Sequence, residues 1–254
     1  MLTTNALSGF GSGGGGGAGF AVGAVTLADV IYERDAQLTG IANGFVGLIS
    51  FWFRVDTDAA SNNTSILNTV GGGFSCSIRT SDKFRVHINT VAYGDLDHDT
   101  SGTYTASSTW HHLISSWNTN ASAGNKVCQI YVDDADVSVK VNDSNAASPV
   151  PYLDDPSDWQ VGRGWYGGIS ELYFNTIQYY DLDTEDNRRK FIDADGKPVD
   201  LASDGSNPTG SAPMLYMRVQ DGGAVGDFAT NQGGGGGMTK KTGTPALSSD
   251  SPSD

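Results

Sequence analysis

The sequence predicts an all-β protein, a two-sheet antiparallel sandwich with one short helix near its C-terminal end and glycine-rich flexible arms. Short runs of β-branched and aromatic residues alternate with Gly, Asn, Ser and Asp clusters every eight to fifteen residues, the pattern of antiparallel sandwiches. Helical crossovers between those runs are absent, which disfavours a parallel sheet. One strand pair, Thr109 to Trp117 and Lys126 to Val132, ends at an Asp133-Asp134 turn and marks the middle of the sandwich.

The 254 residues divide into a glycine-dominated arm (1–24), one sandwich domain (25–220) and a glycine-rich tail (221–254). Ten Phe, ten Tyr and five Trp give the domain a sizeable core. Gly13 to Gly17 run uninterrupted in the arm, where Phe10 and Phe20 are the large side chains. Such a segment cannot offset its ordering entropy by burial, so it reads either as a plain tether or as an assembly arm anchored by Phe10 or Phe20.

Taken in order, Thr26 to Glu33 reads as an edge strand at the start of the domain, and Gly47 to Val55 as a core strand with large residues on both faces. Ser65 to Thr69, Gly73 to Arg79, Lys83 to Asn89 and Thr103 to Ala106 follow, with Gly71-Gly72-Gly73 and Thr80-Ser81-Asp82 as turns. In the Thr109 strand, Leu113, Ser115 and Trp117 alternate against His112, Ile114 and Ser116. Ala135 to Val141 continues the alternation, a proline-containing loop spans 143–158, and Trp159 to Gly162 and Gly168 to Asn175 are further strands. Asp183 to Ile192 is the helix candidate, with acids in its first turn and bases in its last. It is short, so Leu182, Phe191 and Ile192 must dock it on the sandwich. Pro213 to Val219 reads as the last strand.

The net charge of −14, from 29 acidic and 15 basic residues, disfavours a nucleic-acid partner, since phosphate affinity rests on Lys and Arg. The N-terminus lacks a basic region followed by an apolar core, and no apolar run approaches the roughly 20 residues of a membrane span. Neither a signal peptide nor a membrane partner is expected. Cys76 and Cys128 lie in strands and read as buried free thiols, with pairing left open.

Trp110-His111-His112, Trp117 and Gln129-Ile130-Tyr131-Val132-Asp133, followed by Gly168-Ile169-Ser170-Glu171-Leu172-Tyr173-Phe174 and the helix at Thr184, resemble the laminin G-like, concanavalin A-like jelly-roll domains. That pattern has Asp where this chain has Ser170 and Gly where it has Asp134. The resemblance covers residues 25 to 220 and implies two stacked antiparallel sheets. It says little about function, because the fold hosts lectins, glycan hydrolases, adhesion modules and virion proteins. The tail, from Asp204-Gly205-Ser206 through Phe228 and Asn231 to Thr242-Gly243-Thr244, resembles tails on laminin G-like proteins of tailed bacteriophages. This implies a virion setting, with other virion proteins and copies of itself as partners.

The family's glycan hydrolases carry two Glu flanking an Asp on one strand, a spacing absent here; Glu33, Glu171 and Glu185 are the three glutamates, and Glu171 stands alone. No catalytic residue is expected. Adjacent His111 and His112 point to opposite faces of a strand and cannot share one ion. Asp95, Asp97 and Asp99, taken as a loop, form a weak calcium candidate without the glycine and distal glutamate of a helix-loop-helix site; no cofactor is otherwise expected. Trp165-Tyr166 between glycines, with Trp159 nearby in sequence, is the best candidate for exposed aromatics that would bind a glycan. The expected function is a non-catalytic virion component for assembly or surface display, with a carbohydrate-binding adhesion module recognising a surface glycan as the alternative.

Overall fold

The computed structural model describes residues 20–254 apart from residues 35, 60–63, 72, 90–94, 123–124, 144–146, 153–158 and 221. Phe10 and most of the N-terminal arm lie outside the described residues. The strands are β1 (Val22–Gly23), β2 (Val25–Ala28), β3 (Ile31–Arg34), β4 (Val46–Val55), β5 (Thr64–Thr69), β6 (Phe74–Ile78), β7 (Phe84–Asn89), β8 (Asp95–Thr100) and β9 (His111–Asn118). They continue with β10 (Val127–Val132), β11 (Ala135–Asp136), β12 (Ser138–Asp143), β13 (Trp159–Val161), β14 (Tyr166–Asn175), β15 (Leu215–Met217), β16 (Val219–Gln220), β17 (Thr239–Thr242) and β18 (Ala246–Leu247). Of the two large sheets, the first has the order β11-β10-β9-β4-β14-β2-β18 with β15 also on β14 and the second has β12-β8-β7-β6-β5-β13-β3-β17, while β1 and β16 pair in a separate two-stranded sheet. The architecture is the antiparallel sandwich that the alternation predicts.

Strand parity sorts the side chains. On β4, Ile49, Phe51, Phe53 and Val55 enter the main core, and on β9 Leu113 and Trp117 join them. Aromatic pairs tie the layers together: Phe53 of the first sheet meets Phe84 of the second edge-on at 4.6 Å, and Trp117 stacks on Phe74 at 5.1 Å. The Trp117 indole N–H donates to the Tyr152 hydroxyl at 2.8 Å, so this large ring is buried without an orphaned donor. Gly47 makes room for it, because a Cβ there would lie 2.2 Å from the Trp117 ring. Gly47→Ala should therefore cost about 3 kcal/mol through overpacking, read as a lower calorimetric Tm with unchanged spectroscopic fold.

On the outer face of the first sheet a second apolar layer gathers Leu48, Ile114, Tyr173, Tyr180, Leu182, Phe191 and Tyr216. The helix that docks there, α1 (Glu185–Arg188), is a single turn, shorter than Asp183 to Ile192. Leu182, Phe191 and Ile192 are buried as its docking residues. The Asp133-Asp134 turn has φ values of 50° and 66°, the geometry of a two-residue hairpin turn that ordinarily favours glycine. Asp134 takes that conformation and receives hydrogen bonds from Arg188 and Arg189, which tie the helix to the hairpin.

Several expectations are corrected. Thr26 to Glu33 is not one edge strand: the chain turns at Asp29 (φ 52°), leaving β2 between β14 and β18 in one sheet and β3 between β13 and β17 in the other. Ala135 to Val141 likewise divides into β11 and β12, in different sheets. The acidic run at 95–99 is strand β8 rather than a loop, while Thr103 to Ala106 is not a strand; Tyr104 instead packs on Phe53 at 5.5 Å.

The C-terminal tail is also not a free arm. It contains a 3-10 helix (Val225–Thr230), buries Phe228 and Met238, and adds β17 to β3 and β18 to β2. Its glycine tract permits close packing: the Gly235 N–H donates to the Met214 carbonyl at 3.0 Å, and a Cβ on Gly235 would meet that oxygen at 2.4 Å.

Candidate functional site

The aromatic residues expected at a glycan site are placed differently. Trp159 and Trp165 are 0% and 1% exposed; Trp159 packs on Phe174 at 5.3 Å and Trp165 on Phe84 at 6.2 Å. The glycines flanking Trp165-Tyr166 leave that pair few partners along the chain, but other strands supply partners to both Trp165 and Trp159. Neither ring face can stack on a ligand. Tyr166, at 43%, is the exposed member of the three.

Asp97 is committed to protein partners, receiving hydrogen bonds from the Arg85 guanidinium and pairing with His87 Nδ1 at 2.6 Å. Burial works against its charge, but the bonds from His87 and Arg85 outweigh that and hold the carboxyl below its ordinary value. Asp99 lies on the same strand, and among the described residues no three acidic, His or Cys side chains form a metal cluster. The side chain of Asp95, the third acid of that candidate, lies outside the described residues. Cys76 and Cys128 are buried and free. His111 pairs with Asp133 at 2.6 Å, whereas His112 lies beneath Trp52 with its Nε2 2.8 Å from the Ser50 hydroxyl. The histidine pair thus splits across the strand as parity requires.

The unusual chemistry lies on the outer face of the first sheet, at the middle of β14. Pairing with β4 runs Gly168↔Arg54, Ile169↔Phe53 and Ser170↔Trp52, then resumes at Tyr173↔Ser50. One extra residue has entered β14, a β-bulge. Glu171 occupies it with φ 51°, a left-handed conformation that costs a non-glycine residue free energy and clusters at functional sites. Simple alternation would group Glu171 with core-facing Ile169. The bulge instead brings it beside Tyr216 and Arg218, from the neighbouring β15 segment.

Glu171 is 3% exposed and Arg218 6%. The Tyr216 hydroxyl donates to Glu171 Oε2, Arg218 Nη1 donates to the Tyr216 oxygen at 3.0 Å, and Arg218 Nε donates to Gln232 Oε1 at 3.0 Å. Glu171 Oε1 has no hydrogen-bond partner among the described residues. Burial pushes the Glu171 carboxyl up to about 7; the Tyr216 hydrogen bond and the Arg218 charge pull it down, and Asp200 adds to the rise.

This network borders an open cleft of about 390 Å³, lined also by Phe20, Ala21, Asp200, Ser203 and Gln220. Phe20, expected as an assembly anchor, is half-buried at its rim. The cleft offers a fixed guanidinium, carboxyl groups, a side-chain amide, a hydroxyl and one aromatic ring. That set can exchange several hydrogen bonds with a polyhydroxylated ligand while the ring covers its C–H face. The sequence named Glu171 but not its partners. The available signal was Tyr216-Met217-Arg218, where parity sets an Arg beside a Tyr on a largely buried strand that must supply an acceptor.

Neither a protein-family model nor a curated protein matches the sequence. Among solved structures, a candidate carbohydrate-binding protein of Bacteroides ovatus superimposes with TM-score 0.60 at 13% identity, covering 90% of this chain and 60% of that one. This chain thus spans about 60% of that protein's length. A SAP-like pentraxin of Limulus polyphemus matches with TM-score 0.43 at 8% identity, over 63% of this chain and 78% of its own. Domains LG4-5 of the mouse laminin alpha1 chain match with TM-score 0.42 at 15% identity, over 64% of this chain and 43% of theirs. The fold is an antiparallel jelly-roll sandwich, shared with the Bacteroides ovatus protein.

Proposed function

We propose that this chain is a carbohydrate-binding module and that the Glu171–Arg218 cleft is its binding site. The observation that carries the reading is the buried carboxyl group of Glu171, held in a strained bulge at the cleft wall with one oxygen lacking a donor among the described residues. A buried acceptor left unmade costs stability, and a sugar hydroxyl entering the cleft supplies the missing donor. Arg218 offers charge-assisted bonds to ring and hydroxyl oxygens, with Tyr216 and Gln232 fixing its head. The Bacteroides ovatus protein of similar fold, itself a candidate carbohydrate binder, supports the same reading.

Binding without cleavage is the expected behaviour. Hydrolysis needs two carboxyl groups in acid and base or nucleophile roles. Here Glu171 Oε2 is occupied by Tyr216, and Asp200 Oδ1 accepts the Ala202 N–H at 2.9 Å. The virion-assembly role expected from the glycine-rich ends gains no observation from the fold. Display on a virion is compatible with sugar binding and is proposed from the composition and resemblance of those ends alone.

A glycan array tests the reading. The wild-type protein should retain a defined set of glycans, and Glu171→Gln or Arg218→Ala should lose at least about tenfold in affinity, the equivalent of one charge-assisted hydrogen bond. Absence of binding by folded protein, or binding indifferent to both changes, would overturn it. Release of reducing ends that disappears in Glu171→Gln and Asp200→Asn would replace binding with hydrolysis.

A further inference from the structure

The Glu171 cleft does not end at Phe20. Phe20 and Ala21 also line a neighbouring hollow of about 460 Å³ that includes Asp193, Asp195 and Lys197. Lys197 and Asp254 in turn line a third hollow of about 310 Å³, walled by Trp52 and Trp110. Shared lining residues make the three depressions neighbours along one furrow on the outer face of the first sheet. Each lies toward the small end of the range for ligand clefts, enough for a compact group; together they accommodate a chain.

The far end is built rather than incidental. Trp110 lies against Gly168, where a Cβ would meet its ring at 2.4 Å. Its indole N–H donates to Asp250 at 3.2 Å, and Arg54 sits over the ring at 5.3 Å. The ring is held in place yet remains partly exposed at the hollow. A positioned aromatic edge at one end and a carboxyl–guanidinium pair at the other are separate contact points for one extended ligand.

Charge narrows the ligand class. Glu171, Asp193, Asp195, Asp200, Asp250 and Asp254 line the furrow against Arg218 and Lys197. With the net charge of −14, this surface repels sulfated, sialylated and uronic-acid polymers. We infer that the ligand is an extended, uncharged polysaccharide running from Glu171 past Phe20 and Lys197 to Trp110, rather than a terminal or acidic sugar. This inference rests on the carbohydrate reading of the Glu171 cleft.

Calorimetric titration of the full chain with neutral gluco-, manno-, xylo- and chito-oligosaccharides, from single sugars to hexamers, tests it beside heparin and hyaluronate. Affinity should rise roughly tenfold or more between the single sugar and the tetramer as added contacts become intramolecular. Trp110→Ala and Lys197→Ala should weaken tetramer binding several-fold and leave the single sugar unaffected. Lys197→Ala keeps the test valid should loss of the Trp110 ring perturb the fold. Affinity independent of chain length, preference for heparin or hyaluronate, or tetramer binding unchanged in both variants would overturn the inference. In each case, continued dependence on Glu171 would leave the cleft reading standing. No binding by any probe would remove both.

Discussion

Glu171→Gln is expected to stabilise the protein at pH 8 by about 3 kcal/mol while weakening sugar binding. The folded carboxyl releases its proton near 7, against a reference value of 4.5. Between those values the unfolded chain has given up a proton that the folded chain retains. The group is therefore neutral in stability below about pH 4.5, and it becomes a growing liability as pH rises through the folded value. The shift corresponds to about 3 kcal/mol at alkaline pH. Gln keeps the shape and can accept from Tyr216, but it carries no charge, so the loss disappears. For a chain of this size the gain is roughly 6 to 12 °C in Tm at pH 8, with little change at pH 4.5. A residue that opposes folding both by backbone strain and by buried charge has the profile of one retained for function. Equal Tm values for the two proteins at pH 8 would contradict this account of its environment.

The second large effect is on the acid side. His98 and His112 are buried and each is held down to about 4, from 6.5, by desolvation. Lys140 adds to the shift at His98, opposed by Asp143, Asp97 and Asp136; Asp133 and Asp134 oppose it at His112. An unfolded imidazole takes up its proton near 6.5 while the folded one refuses it until about 4. Stability is complete above pH 6.5 and is lost as pH falls toward 4, by about 3 kcal/mol per residue. Both ring nitrogens of His98 lack a hydrogen-bond partner among the described residues, and its strand neighbour on the same face is Leu96 of the core. His98→Leu should therefore remove about 3 kcal/mol of the acid-dependent loss with little cost at pH 8. Urea unfolding at pH 4.5 and pH 8 measures it. An acid limb as steep as in the parent would show that His98 does not govern it. The slopes from Glu171 and from the histidines oppose each other, so Glu171→Gln should also make the rise in stability from pH 4.5 to 7 steeper.

The central strands were legible because a half-buried strand writes its faces into alternation. Leu113 and Trp117 share the face that enters the main core and His112 and Ile114 the opposite face, the two sets that the alternation separates. A change of sheet leaves that alternation intact, which is why the divisions near Asp29 and at Val137 were invisible. Glycine is ambiguous for a related reason: a flexible tether and a backbone pressed against Met214 have the same composition. The candidate site escaped because it depends on a one-residue bulge. Parity read through Ile169, Glu171 and Tyr173 gives one face, whereas the extra residue brings Glu171 to Tyr216, 45 residues away in sequence. Likewise, the exposure expected for Trp165 came from its glycine neighbours, while its burial comes from Phe53 and Phe84 on other strands.

The most direct test of the central claim is the carboxyl carbon resonance of Glu171, followed by NMR through a pH titration of the full chain. The titration is run with and without a saturating neutral tetrasaccharide of the class that binds most tightly. A sugar hydroxyl donating to Oε1 favours the charged carboxylate, so the midpoint should fall from about 7 toward the ordinary carboxyl range. By linkage, affinity should tighten as pH rises through 7. A midpoint unmoved by bound sugar would place the ligand elsewhere and contradict the assignment of the Glu171 cleft.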